Sequence, residues 1–236
     1  MLSPRGLVSV IVAIGAFAQM RPLSRDSEIR IGHLLAAKFR KTRAVASGPS
    51  HRNIEAYLQT VCARVAAHAK RQLPYRFRFD PDPDFKSAFA LPGGEIFLGG
   101  GMWALLDSED QLAAVLGHEI AHVDLNHCRD RLLGADGSKE IEPELFFATY
   151  GPDRELAADR EGVKLAASAG YSPRSALRLL ESFLARADRS PDSAPDLASD
   201  SAATLERRID RIREAIETDN LSVPVSEKPL RRRFRD

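Results

Sequence analysis

Residues 118–122 read His118-Glu119-Ile120-Ala121-His122, inside a stretch whose spacing predicts a helix, and no other feature of the 236-residue chain narrows its fold as far. Side chains four apart on a helix stand one above the other on the same face. The two imidazoles can therefore converge on one metal ion, while the carboxylate beside the first reaches a water held there. The helix is legible from its ends. Ser108 followed three residues later by Gln111 is a capping-box pattern, and Glu109 and Asp110 bring negative charge to a first turn, where the helix dipole favours it. Leu112, Val115, Leu116, Ile120 and Val123 keep helical spacing, and neither Pro nor a mid-run break is expected before Gly134. Both histidines then fall mid-helix, which weighs against two ordinary half-buried histidines.

Zinc with catalytic work to do takes three protein ligands and keeps a fourth position open. Downstream, Glu155 is the best third ligand. Pro152 suits a first helical turn, and a helix starting there presents Glu155 and Asp159 on one face. Asp159 is then placed to accept the free ring N–H of a zinc histidine, His118, fixing its tautomer. If the first helix continues, His127 and Asp124 lie to the side of the ligand face and point away from the metal. The plainer alternative for the two acids is a solvated face paired with Arg154 and Arg160.

Three stretches carry a family likeness: Ala88-Phe89-Ala90-Leu91-Pro92-Gly93-Gly94 running into Glu95-Ile96-Phe97-Leu98, Leu112 to Gly117 leading into the pentapeptide, and the Glu-x-x-Ala-Asp pattern from Glu155 to Asp159. Over about residues 29–216 the chain resembles the zinc metallopeptidases of clan MA, family forty-eight. That group includes HtpX-like, CAAX prenyl and periplasmic BepA-like peptidases. The resemblance implies an α+β fold: a mostly helical, zincin-like (gluzincin) domain with a small antiparallel sheet beside the active-site helix. It also implies one Zn2+ per chain held by His118, His122 and Glu155, Glu119 as catalytic base, and polypeptide substrates. Two departures stand out. Ser87 replaces a frequent Asn, and Ser201-Ala202 replaces a His-Pro pair whose His can approach the metal. Tyr150, Arg154 and His127 are the candidates to take over transition-state stabilisation. The short spacing from His122 to Glu155 suggests a more open cleft than in relatives with inserted helices.

Around the site the chain reads as one domain, residues 19–218, with no internal repeat. Residues 1–18 combine Arg5, an apolar run over 6–17 and Ala16-Phe17-Ala18, the pattern of a cleaved export signal. The run is short for a membrane span, so an uncleaved anchor is the second reading. Removing residues 1–18 takes away one Arg and leaves 33 basic against 33 acidic residues, a balance that argues against nucleic acid as partner. Residues 219–236 form a basic tail, expected to be disordered, with peripheral contact to anionic lipid as the alternative. Export allows oxidation, so Cys62 and Cys128 could form a disulfide; a free buried thiol fits Cys62 equally well.

Periodicity places helices over 26–41 and 53–70 with a link at 47–50, a strand over 75–79, and a hairpin of 86–91 and 95–98 around Pro92-Gly93-Gly94. Later helices are expected over 173–187 and 204–216, with a polar loop at 189–200 between them. The hairpin's free edge is expected to hold an extended polypeptide across the zinc. The functional expectation is an exported, periplasmic zinc endopeptidase; that its substrates are misfolded or misassembled envelope proteins is what the resemblance and the signal imply. Two rivals remain open. One is a chaperone-like module with a closed, structural zinc site, which a fourth ligand such as His127 would support; the other is a zinc amidase acting on the cell wall.

Overall fold

Two amphipathic helices precede the sheet in the computed structural model, which describes residues 23–43, 49–135, 140–187, 202–222 and 230. The export signal, the first half of the 47–50 link, the 189–200 loop, Ser201 and most of the basic tail lie outside the described residues. Helix α1 spans Arg25–Thr42, with the Ser24 hydroxyl capping the Ser27 amide and acidic residues in its first turn. Its apolar face, Ile31, Leu35, Ala36 and Phe39, is buried. Helix α2, Pro49–Ala66, begins and ends about four residues before the expected bounds. Pro49 opens it as a first-turn proline. Beyond Ala66 the chain turns, and the Asp124 carboxylate accepts from the amides of Lys70 and Arg71 at 3.0 and 2.5 Å.

The sheet holds β1 (Arg76–Asp80), β2 (Ala88–Ala90) and β3 (Glu95–Gly99) in the order β1-β3-β2. It is mixed, where a wholly antiparallel sheet was expected. The hairpin β2–β3 is antiparallel, with Phe89 opposite Phe97, but β1 joins the far side of β3 in parallel. The reason lies in Gly99-Gly100-Gly101. Side chains there would meet the backbone carbonyls of Phe85, Pro81 and Pro83 at 2.0, 2.7 and 2.4 Å, so the segment after β1 crosses over the end of β3 only because these positions are bare. The outer edge of β1 is covered by α2: Gln59 bridges the Tyr75 carbonyl and the Phe77 amide, and Glu55 accepts from the Phe79 amide. Such covering suppresses unwanted strand pairing. β2 is the other edge. Between sheet and α1, the rings of Phe39, Phe89, Phe97 and Phe147 pack edge-on and stacked, with centroids from 4.4 to 5.5 Å apart.

After a short helix α3 (Gly100–Leu105) comes α4 (Glu109–Asp124), capped by the Ser108 hydroxyl on the Gln111 amide and buried along nearly its whole length. The expected run to Gly134 is broken. Asn126 adopts a left-handed conformation with φ of 65°, and α5 (His127–Leu133) starts in a new direction. Asn tolerates that region better than most residues, so a polar residue at the end of the apolar pattern ends the helix without Gly or Pro. Three further helices close the domain: α6 (Pro152–Ser168), α7 (Arg174–Ala187) and α8 (Ala202–Thr218). Among the described residues no helix is long and apolar enough to cross a membrane.

Helices α4 and α6 cross backbone to backbone. A Cβ at Gly117 would lie 2.5 Å from the Gly162 carbonyl oxygen, and one at Gly162 would lie 2.6 Å from the His118 amide nitrogen. Neither neighbour is a flexible side-chain tip. Gly162→Ala should therefore force the helices apart and cost about 1–3 kcal/mol, lowering the melting temperature by about 2–4 °C per kcal/mol lost. An unchanged melting curve would show that the two backbones do not meet there.

Candidate metal centre

The α4–α6 crossing sets His118 and His122 against Glu155. The imidazole Nε2 atoms of His118 and His122 are 2.9 Å apart, and Glu155 Oε2 lies 3.3 Å from the first and 3.6 Å from the second. Ligands of a tetrahedral zinc, with bonds of about 2.0–2.1 Å, stand roughly 3.3 Å from one another. The three donor atoms thus surround a space of the right size, and two imidazoles with one carboxylate suit a divalent ion of borderline softness. Among the described residues no fourth His, Cys, Asp or Glu belongs to this group.

Each donor is aimed by a partner. His118 Nδ1 donates to Asp159 Oδ1 at 2.9 Å, which leaves the Nε2 lone pair facing the cluster. The Nδ1 atoms of His122 and His127 are 2.9 Å apart. With Nε2 of His122 turned to the cluster, its Nδ1 carries the proton and His127 accepts it. Burial lowers the His127 pKa and keeps its ring neutral for that role. The Tyr150 amide donates to Glu155 Oε1 at 2.8 Å, directing Oε2 at the imidazoles. Sequence reasoning missed the next link: Arg208 on α8 forks onto Asp159, its Nε on Oδ2 at 2.7 Å and its Nη2 on Oδ1 at 2.8 Å. The signal was present. Leu205, Ile209 and Ile212 form the buried stripe of α8, and Arg208 falls on it with only 3% of its surface exposed. A guanidinium on an apolar face asks for a buried anion.

The electrostatics of this cluster favour positive charge at its centre. Burial alone would lower the His118 imidazole, yet hydrogen bonds to Asp159 and Glu155 raise it to about 10. Burial would likewise raise the Glu155 carboxyl, but the hydrogen bond and charge of the His118 imidazole, with His122 beside it, hold it far below the usual range. His122 is lowered to about 4, first by burial and then by the neighbouring His118. Glu119 differs from the other acids. It is 5% exposed, burial pushes its carboxyl up to about 7, and the Ala90 amide of β2 donates to it.

The three transition-state candidates each have partners of their own. The Tyr150 hydroxyl donates to Cys128 Sγ at 3.3 Å, while its ring stacks on His122 at 4.4 Å between centroids. Arg154 pairs with Asp130 at the surface at 3.2 Å. His127 was expected to point away from the site on a continuing helix; the break at Asn126 instead folds it back onto the far nitrogen of His122. Asp124 does point away, onto the Lys70 and Arg71 amides. Cys62 and Cys128 are not joined: both are free thiols, each fully buried, and burial raises each to about 12.

Two helices carrying His, His and Glu around one space, with a buried Glu beside it, define a metallopeptidase type of centre. Comparisons with known proteins agree. The profile of peptidase family M48 matches residues 52–142. The Beta-barrel assembly-enhancing protease of Escherichia coli is 23% identical over 231 residues, covering 78% of this chain and 47% of that protein. The mitochondrial metalloendopeptidase OMA1 of Schizosaccharomyces pombe is 29% identical over 152 residues, 56% of this chain and 45% of that protein. The chain is thus similar to peptidase family M48 over the stretch that carries His118, Glu119 and His122. It spans about half the length of the curated relatives it matches.

The chain of contacts from Arg208 through Asp159 to His118 makes a measurable claim. Asp159→Asn and Arg208→Lys should each weaken zinc binding by about 10–100-fold, read by competition with a coloured chelator, while circular dichroism stays unchanged. Lys keeps the charge but loses the fork. Wild-type affinity in both variants would remove Asp159 and Arg208 from the metal centre.

Proposed function

We propose that this chain is a zinc-dependent endopeptidase, with His118, His122 and Glu155 holding one zinc ion and Glu119 acting as general base. The observation that carries the reading is the convergence of the three donors with a buried carboxylate alongside and no fourth protein ligand among the described residues. Zinc, when bound, supplies Lewis acidity and brings the pKa of a water in its open position to about 7. Glu119, with its carboxyl near that same range, takes the proton from the attacking water and delivers it to the leaving amine. No covalent bond to the protein is needed.

The edge strand β2 supports the choice of polypeptide as substrate. It pairs with β3 on one side only, and on the other the Ala90 amide meets Glu119. An extended chain added to this edge gains main-chain hydrogen bonds and lies across the metal, with little reading of sequence. The rival with a structural zinc needs a closed site, and His127, its expected fourth ligand, is engaged with the far side of His122. We place the enzyme outside the cytoplasm, in the periplasm, acting on misfolded or misassembled envelope proteins. The export pattern of residues 1–18 supports this, as does the similarity to a protein named for enhancing β-barrel assembly.

Glu119→Gln should retain zinc in metal analysis and lose about 10²–10⁴-fold in cleavage of an unfolded protein, whereas His118→Ala should lose metal and cleavage together. Normal turnover by the Glu119 variant would end this mechanism. Peptidoglycan release without peptide cleavage would transfer the site to the amidase reading.

A further inference from the structure

Helix α5 does more than bring His127 back to His122. Arg131 stands four residues on from His127, on the same helical face, and reaches the segment that leads into α6. Between Phe146 and Pro152 the chain forms neither helix nor strand, so its main-chain carbonyls need partners from outside the segment. Arg131 supplies them. Its Nη1 donates to the carbonyls of Leu145 and Ala148, and its Nη2 donates to that of Thr149 at 2.7 Å. The guanidinium also lies over the Tyr150 ring, its Cζ 3.4 Å from the centroid. We infer that Arg131 is a positioning residue of the metal centre, fixing segment 145–150 so that Tyr150 serves both His122 and Glu155. The inference rests on the zinc reading of the centre and adds to it a residue that touches none of the three donors.

Two contacts carry its influence inward. The first runs through one peptide group. The Thr149 carbonyl and the Tyr150 amide belong to the same planar trans unit and point in opposite directions. Arg131 holds the oxygen, Glu155 Oε1 accepts from the N–H at 2.8 Å, and fixing one end of the plane fixes the aim of the other. The second contact is the ring, which stacks on His122 at 4.4 Å between centroids. A guanidinium and an imidazole this close to one centroid cannot share a face, so the phenol ring is held between them. Its hydroxyl donates to Cys128 Sγ, also on α5. Arginine suits this task and lysine does not: a planar fork presents several N–H donors to separated acceptors while its flat face stacks on a ring, and an ammonium has no such face.

The test compares wild type with Arg131→Lys, Arg131→Met and Val61→Ala, the last a core truncation on α2. Each protein is loaded with zinc and, separately, with cobalt. Both Arg131 variants should bind zinc about tenfold more weakly in chelator competition and should shift the visible absorption bands of the cobalt protein, which report how the donors are arranged. Val61→Ala should melt earlier, as a core truncation does, and keep the wild-type zinc affinity and cobalt bands. Chemical modification gives a readout that needs no variant. Because coupling between two sites is reciprocal, zinc should slow the reaction of Arg131 with phenylglyoxal in wild type about tenfold, mapped by mass spectrometry. Wild-type affinity and bands in the folded Arg131 variants, the same band shift in Val61→Ala, or equal modification with and without zinc would overturn the role of Arg131 while leaving the metal centre in place. Wild type that takes up neither zinc nor cobalt would instead overturn the centre, and the role of Arg131 with it.

Discussion

Two helices can touch backbone to backbone only where neither carries a side chain, and the metal centre depends on one such contact. Gly117 sits immediately before His118, and Gly162 lies two turns beyond Glu155 on the partner helix. Their contact holds α4 and α6 at the separation that lets an imidazole pair on one meet carboxylates on the other. Larger residues would leave the pentapeptide intact and the third donor out of reach. The histidine motif is thus half of a site whose other half is delivered by packing.

Burial and charge then work together. Glu119, Glu155, Asp159, His122 and Arg208 are each at most 5% exposed, an arrangement whose cost in desolvation is several kcal/mol per ion unless each charge has a partner. Arg208 neutralises Asp159, Asp159 orients His118, and the cluster around Glu155 calls for a cation. Glu119 differs: burial raises its carboxyl against the lowering effect of the His118 and Arg208 charges. The same burial separates three carboxyls and two imidazoles within one small volume: the proposed metal donors are held by hydrogen bonds, while the proposed base, Glu119, is raised by burial.

Much of this was legible in the residues. The pentapeptide, its capped helix, Glu155 and Asp159 on one helical face, and the hairpin before the site all follow from local patterns that the structure repeats. What escaped were features with no local signature. The left-handed turn at Asn126 looks in sequence like one more polar helical position, so His127 was sent away from His122. The parallel pairing of β1 with β3 depends on a crossover that only the three-dimensional contact of Gly99-Gly100-Gly101 with residues 81–85 reveals. Arg208 lies 49 residues beyond Asp159; its place on an apolar stripe marked it as buried but could not say beside what. The two cysteines, equally open to pairing or to burial as thiols, are both buried free thiols, with Cys128 Sγ bonded to the Tyr150 hydroxyl and the Ala90 carbonyl.

The account makes one ion, held by nitrogen and oxygen from two helices, the centre of the molecule. X-ray absorption at the zinc edge, on protein purified without added metal, addresses that claim directly. The account predicts about one zinc per chain with a shell of two imidazole nitrogens and oxygen, and no sulfur. Metal-free protein, or a shell containing the sulfur of Cys62 or Cys128, would contradict it.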